Sequence, residues 1–168
     1  VTPMKIYQAA NRMKVKPNCV YVIPPDKDLS ILDGILRLMH RPIPPKQHLP
    51  IDFFFQALAE DRNEFAAGVI LSGMGPDGTD GIQHIKRRNG LTFVQEPSSC
   101  EFDGMPRSAI NSGFADFVGP AEELPDMIIA NLKHTELTIL EEPDSNTRRR
   151  QSALDKIVFL LHERTGND

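Results

Sequence analysis

The sequence predicts an α/β domain: a mainly parallel sheet with helices on both faces, incomplete at its N-terminal side and accompanied by a β-hairpin. Three observations predict it. Apolar runs of strand length alternate with helix-like stretches from Phe65 to His134, and such alternation implies parallel strands joined by helical crossovers. One of these runs leads directly into a glycine-rich loop, Gly73-Met74-Gly75-Pro76-Asp77-Gly78, as it would at the carboxyl edge of a sheet, where ligands bind. Upstream, Asp33-Gly34 parts two apolar runs, and this pair tolerates the positive φ angles of a two-residue hairpin turn.

Taken in order, Met4-Lys5-Ile6-Tyr7 is strand-like, and Cys19–Ile23 (CVYVI) is a β-branched and aromatic strand halted by Pro24-Pro25. Leu29–Leu32 and Ile35–Met39 form the hairpin arms. Residues 41–50 hold four prolines and read as a surface loop, and Ile51–Glu60 (IDFFFQALAE) reads as a helix burying Phe54 and Leu58. The alternating part follows: strand at 65–71, helix at 78–88, strand at 91–94, helix at 106–111, strand at 114–118 and helix at 121–134. Residues 136–150 turn polar and end in Arg148-Arg149-Arg150, which reads as a linker with a solvated basic triplet. Leu154, Ile157, Val158 and Leu161 then recur at helical spacing. The expected organisation is one domain over 1–135, a linker over 136–150 and the start of another domain over 151–168.

A chain of 168 residues with 40% hydrophobic and 25% charged residues is long enough to bury a core. Its net charge of −4 offers no basic stripe for nucleic acid. Cys19 and Cys100 stand far apart, as two reduced thiols would, and the five histidines form no zinc-binding pattern. No apolar run reaches the roughly 18 residues that span a bilayer, so no membrane insertion is expected, and a cytoplasmic location is. No metal or cofactor is expected.

The loop admits two chemistries. Gly73-x-Gly75-x-x-Gly78 is a literal dinucleotide fingerprint, with Glu96 ending the next strand where a ribose-binding acid could sit. Against it, Asp77 brings a carboxylate to the place of a pyrophosphate, and Pro76 removes an N–H that would bind one. The alternative is an acid loop in which Asp77 orients an imidazole. Asp77 as a plain N-cap of the helix that follows is a third reading, worth roughly 1 kcal/mol and compatible with the second.

Two stretches, GVILSGMGPDGTDGI at 68–82 and FVQEPSSCEFDGMPRSAINSG at 93–113, resemble the signature half of the chemotaxis protein-glutamate methylesterases (CheB-type). The likeness runs from about Val1 to Leu132. It includes NCVYVIPPDKDLSIL and LPIDFFFQALAED, which are similar to forms fused to a CheR-type receptor methyltransferase, and LDKIVFLLHERTGND is similar to the opening helix of that methyltransferase. The resemblance implies a Ser-His-Asp hydrolase acting on glutamate methyl esters of methyl-accepting chemotaxis receptors, with a fused or associated methyltransferase as partner. It assigns Asp77 as the catalytic acid and the backbone N–H of Met74 as an oxyanion donor. Arg107 then flanks the cleft, where substrate contact and a structural role at a helix start are equally open.

The chain departs from the family pattern in one respect: it contains no Gly-x-Ser-x-Gly. Ser72, Ser98, Ser108 and Ser112 have the wrong neighbours, and His48 and His84 read as surface residues. The chain opens on Val1 and runs at once into a strand-like segment. Nucleophile and base are therefore expected to precede Val1, and residues 1–168 alone are expected to be inactive. Two other functions stay in view: a nucleotide-binding module using the glycine loop, and a non-catalytic interaction module in a signalling protein.

Overall fold

The computed structural model describes residues 3–40 and 49–131. The chain divides into Val1–Leu132 and Lys133–Asp168, and the described residues all belong to the first part. His48, the expected linker at 136–150 and the expected helix beyond it lie outside the described residues.

The domain is a parallel sheet flanked by helices, with the hairpin beside it. Strand β1 (Lys5–Gln8) pairs in parallel with β2 (Cys19–Val22), with Tyr7 stacked on Tyr21. A parallel pair ordinarily needs a helical crossover of about a dozen residues or more. Here residues 9–18 make the crossover without one, because the hairpin edge takes up their backbone groups: Arg12 N–H donates to the Leu36 carbonyl, Leu36 N–H to Met13 and Val15 N–H to Gly34. Strands β3 (Lys27–Leu32) and β4 (Ile35–His40) form that hairpin, closed by the pair Leu32 and Ile35. Its turn is the expected one, with positive φ at both Asp33 and Gly34.

Pro50 is the first residue of helix α1 (Pro50–Arg62) rather than the end of the preceding loop; a missing N–H costs nothing at that position. The helix stops at Asn63, whose φ is positive. It packs against both parts of the domain. Phe54, Ala57 and Leu58 meet the hairpin core of Leu29, Ile31 and Leu36, while Ile51 and Phe55 meet the core of the parallel sheet.

That sheet has the order β5-β6-β7, all parallel, from β5 (Ala67–Ile70), β6 (Leu91–Gln95) and β7 (Phe117–Gly119). Helix α2 (Thr79–Arg87) joins the first two strands and α3 (Gly104–Asn111) lies between the second and third; residues 124–131 are also helical. The core residues Ile70, Ile82, Val94 and Ala109 are buried, and Phe93 is buried and stacked on Phe117. The last strand starts later than the apolar run at 114 suggests. Asp116 accounts for the difference: it donates its N–H to the Thr92 carbonyl and accepts the N–H of Thr92 on its carboxylate, which bends the chain before Phe117.

All three strands of this sheet point their carboxyl ends at the loops 71–78, 96–103 and 120–123. A cleft of about 880 Å³ is lined mainly by apolar residues of β2, the hairpin and α1, with Val69.

Candidate active site

Strand β5 delivers the chain into the glycine loop, and two glycines there adopt the left-handed region, Gly75 at φ 80° and Gly78 at φ 90°. A Cβ on Gly75 would meet nothing, so only the backbone requires glycine there. A Cβ on Gly78 would run into Ile70 Cδ1 and come within 3.0 Å of Ile51 Cγ2, so space requires it as well.

Neighbouring segments pin the start of the loop. Ser72 N–H donates to Gln95 Oε1 at 2.9 Å, Gly73 N–H to the Phe102 carbonyl at 2.9 Å and Met105 N–H to the Gly73 carbonyl at 2.9 Å. Phe102 N–H donates to Ser72 Oγ at 3.0 Å. Gln95 is 7% exposed, and its amide also donates to the Ser99 carbonyl at 3.0 Å, so one side chain joins two loops at the sheet edge. Beyond this anchor Met74 is 74% exposed, and its N–H donates to no acceptor among the described residues. Leu71 and Phe102 are exposed beside it.

Asp77 does not cap its own helix. Helix α2 has Gly78 at its N-cap and no side-chain cap. The Asp77 carboxylate instead accepts from the start of α1, Ile51 N–H donating to Oδ2 at 3.1 Å and Asp52 N–H to Oδ1 at 3.0 Å. Asp52 returns the arrangement, accepting Gly81 N–H of α2 on its Oδ1 at 2.7 Å. Each helix is thus capped by a carboxylate from the other helix's start, and neither by its own N-cap residue, Leu49 or Gly78. The exchange needs Gly81, where a Cβ would lie 2.6 Å from Phe55 Cβ.

Burial raises the Asp52 carboxyl above the ordinary aspartate range; the Gly81 N–H opposes this, and the Asp77 and Asp80 carboxylates reinforce it. A raised folded-state value means that the folded protein holds this proton more tightly than the unfolded chain. The group's stabilising contribution is therefore complete below the unfolded-chain value and is lost as pH rises through the folded one. Asp52→Asn keeps an acceptor for Gly81 and removes the charge. It is expected to melt at or above the wild-type temperature at neutral pH, with the advantage vanishing on acidification below the ordinary aspartate range. An advantage that instead grew with acidification in a thermal melt series would contradict this assignment.

The geometry leaves a dinucleotide no place at this loop. The Gly81 N–H is already taken by Asp52, Pro76 has none to give, and two carboxylates stand where a pyrophosphate would lie. The side chain of Glu96 is exposed and its N–H donates to the Gly119 carbonyl. Arg107 pairs with Asp103, one turn earlier, at 2.6 Å. His84 is half-buried on α2 rather than a fully exposed surface residue, its Nδ1 2.9 Å from the Asp80 carbonyl. Cys19 and Cys100 are both free thiols. Among the described residues no three His, Cys, Asp or Glu side chains converge as metal ligands.

Two residues were not singled out by their sequence context. Asp52, an acid in the first turn behind Pro50, carries the usual signal of a helix start. Gln95, one polar residue at the end of an apolar strand, carries almost none. Gln95→Leu removes the acceptor for Ser72 N–H and is expected to cost about 2 kcal/mol, read as a lower urea midpoint at unchanged slope; a shift below a quarter of that would mean that water replaces the amide.

The CheB methylesterase family model matches residues 1–128. A protein-glutamate methylesterase/protein-glutamine glutaminase of Hydrogenovibrio crunogenus is 32% identical over 79% of this chain and 36% of its own length, and a Vibrio vulnificus protein of the same name is 36% identical over 68% and 34%. An uncharacterised 104.1 kDa protein of Rhodobacter capsulatus is 34% identical over 87% of this chain and 16% of its own. Among solved structures, the catalytic domain of the Thermotoga maritima CheB methylesterase is similar with a TM-score of 0.63 at 32% identity, covering 73% of this chain and 67% of that one. The chain therefore spans about a third of the length of the curated methylesterases it matches.

Proposed function

The chain belongs to the CheB methylesterase family, and from that premise we propose that it supplies the acid-bearing part of a protein-glutamate methylesterase. Asp77 is the catalytic acid and the Met74 N–H an oxyanion donor. The observation that carries the reading is the presentation of both groups at the carboxyl edge of a parallel sheet: Asp77 held through both oxygens by α1, and Met74 N–H without an acceptor among the described residues on an anchored loop.

The chemistry is acyl transfer. A serine Oγ outside these 168 residues attacks the γ-carbonyl of a glutamate methyl ester, and a histidine takes its proton and passes it to the departing methanol. Water then releases the glutamate from the acyl-enzyme. Asp77 fixes the histidine's orientation and tautomer, and the Met74 N–H stabilises the tetrahedral oxyanion, a role worth roughly 3 kcal/mol. The names of the relatives also include glutaminase, and the same acyl route accepts a side-chain amide with ammonia leaving.

The substrates are chemoreceptor proteins, and the setting is the cytoplasm. Among the described residues no helix is long and apolar enough to cross a membrane. The segment from 151 onward begins a receptor methyltransferase domain. Methanol release from a glutamate γ-methyl ester peptide tests the reading. The longer protein that adds the serine and histidine releases methanol, and residues 1–168 alone do so no faster than a blank; rapid release by 1–168 would overturn the division of labour.

A further inference from the structure

We infer that Asp52 is a positioning residue for Asp77, acting through the exchange of caps between α1 and α2; this rests on the catalytic reading of Asp77 given above. Both oxygens of Asp77 are held by N–H groups of the first turn of α1, at 3.1 and 3.0 Å. The direction of the carboxylate therefore follows the start of that helix. What fixes the start of α1 against the glycine loop is Asp52: its carboxylate grips Gly81 N–H at 2.7 Å, and the missing Cβ of Gly81 lets Phe55 close the same seam.

The seam is a closed circuit, from Asp77 to the first turn of α1, through Asp52 to Gly81, and back along the first turn of α2 to Gly78 and Asp77. Removing the Asp52 acceptor leaves Gly81 N–H unpaired and opens the circuit, so the α1 start and the Asp77 carboxylate shift together. A displacement near 1 Å costs on the order of 10²-fold in rate at a site that works by orientation. Asp52 touches no substrate in this scheme and acts only through Asp77.

The test uses the full-length protein carrying the serine and histidine, with methanol release from a glutamate γ-methyl ester peptide measured at least 15 °C below each variant's melting temperature. Asp52→Ala is expected to lower kcat about 10²-fold with KM within about twofold. Asp52→Asn, which still offers Gly81 an acceptor oxygen, is expected to recover kcat to within about fivefold of wild type. Asp52→Glu keeps the charge but moves the acceptor by one methylene, and is expected to lose at least about 10-fold; it also serves if the alanine variant does not fold. Wild-type kcat in the Ala or Glu variant, or equal loss in Asn and Ala, overturns the positioning role. Asp77→Asn is the control: if it retains full kcat, the catalytic reading of Asp77 fails and takes this inference with it, whereas a fall there beside an unchanged Asp52→Ala defeats the inference alone.

Discussion

Asp77→Asn is expected to lower kcat for glutamate methyl ester hydrolysis about 10⁴-fold in the full-length protein, while the loss of one of its two bonds to α1, about 1 kcal/mol, lowers the melting temperature by only about 2–4 °C. The separation of the two effects follows from what the carboxylate touches. Its known partners are the N–H groups of Ile51 and Asp52, and asparagine is as good a helix cap as aspartate. One asparagine oxygen can still accept from α1. What the amide cannot do is accept from an imidazole on its remaining face while holding the tautomer that a serine needs. Asp77→Ala would confound the two roles, since it also removes the cap, at a cost of about 1 kcal/mol. Undiminished turnover in Asp77→Asn would leave the residue as a structural clamp and the segment that carries it as a non-catalytic part of the full-length protein.

Gly78→Ala is expected to destabilise the domain by about 3 kcal/mol, which in a protein of this length lowers the melting temperature by roughly 6–12 °C. Two causes add. The residue sits at φ 90°, where a side chain costs about 1–2 kcal/mol, and its Cβ would press on Ile70 and Ile51, which lie in the sheet core. Gly75→Ala separates the causes, because its φ is 80° but its Cβ would meet nothing. It is expected to lose only the conformational part, about 1–2 kcal/mol. Equal losses at the two glycines in calorimetry would mean that the sheet core yields around the added methyl.

Much of the fold was legible because its elements are locally determined. Asp33-Gly34 specifies its own turn, the 3.6-residue spacing of Ile82 and Ile85 marks α2, and β5 and β6 are apolar runs ended by polar loops. The pairing of β1 with β2 was not legible, because residues 9–18 carry no helix signal and their hydrogen bonds go to a hairpin about twenty residues downstream. The site shows the same division. The glycine loop and Asp77 could be picked out from their spacing, and the family resemblance gave them roles. The partners of Asp77 lie 25 and 26 positions away, and no local pattern encodes which helix start a carboxylate reaches. Gln95 was hidden for a similar reason: its importance comes from Ser72 and Ser99, which only the folded sheet edge brings to it.

The crossed caps also bear on how the domain breathes. The first N–H groups of a helix normally exchange with solvent early, because nothing inside the helix protects them. In α1 the protection of Ile51 and Asp52 depends on a carboxylate carried by a distant loop, and in α2 that of Gly81 depends on α1. Opening of the glycine loop and fraying of the first turn of α1 are therefore one cooperative event. The deuterium uptake of two amides on a helix becomes a direct gauge of how often the glycine loop comes apart.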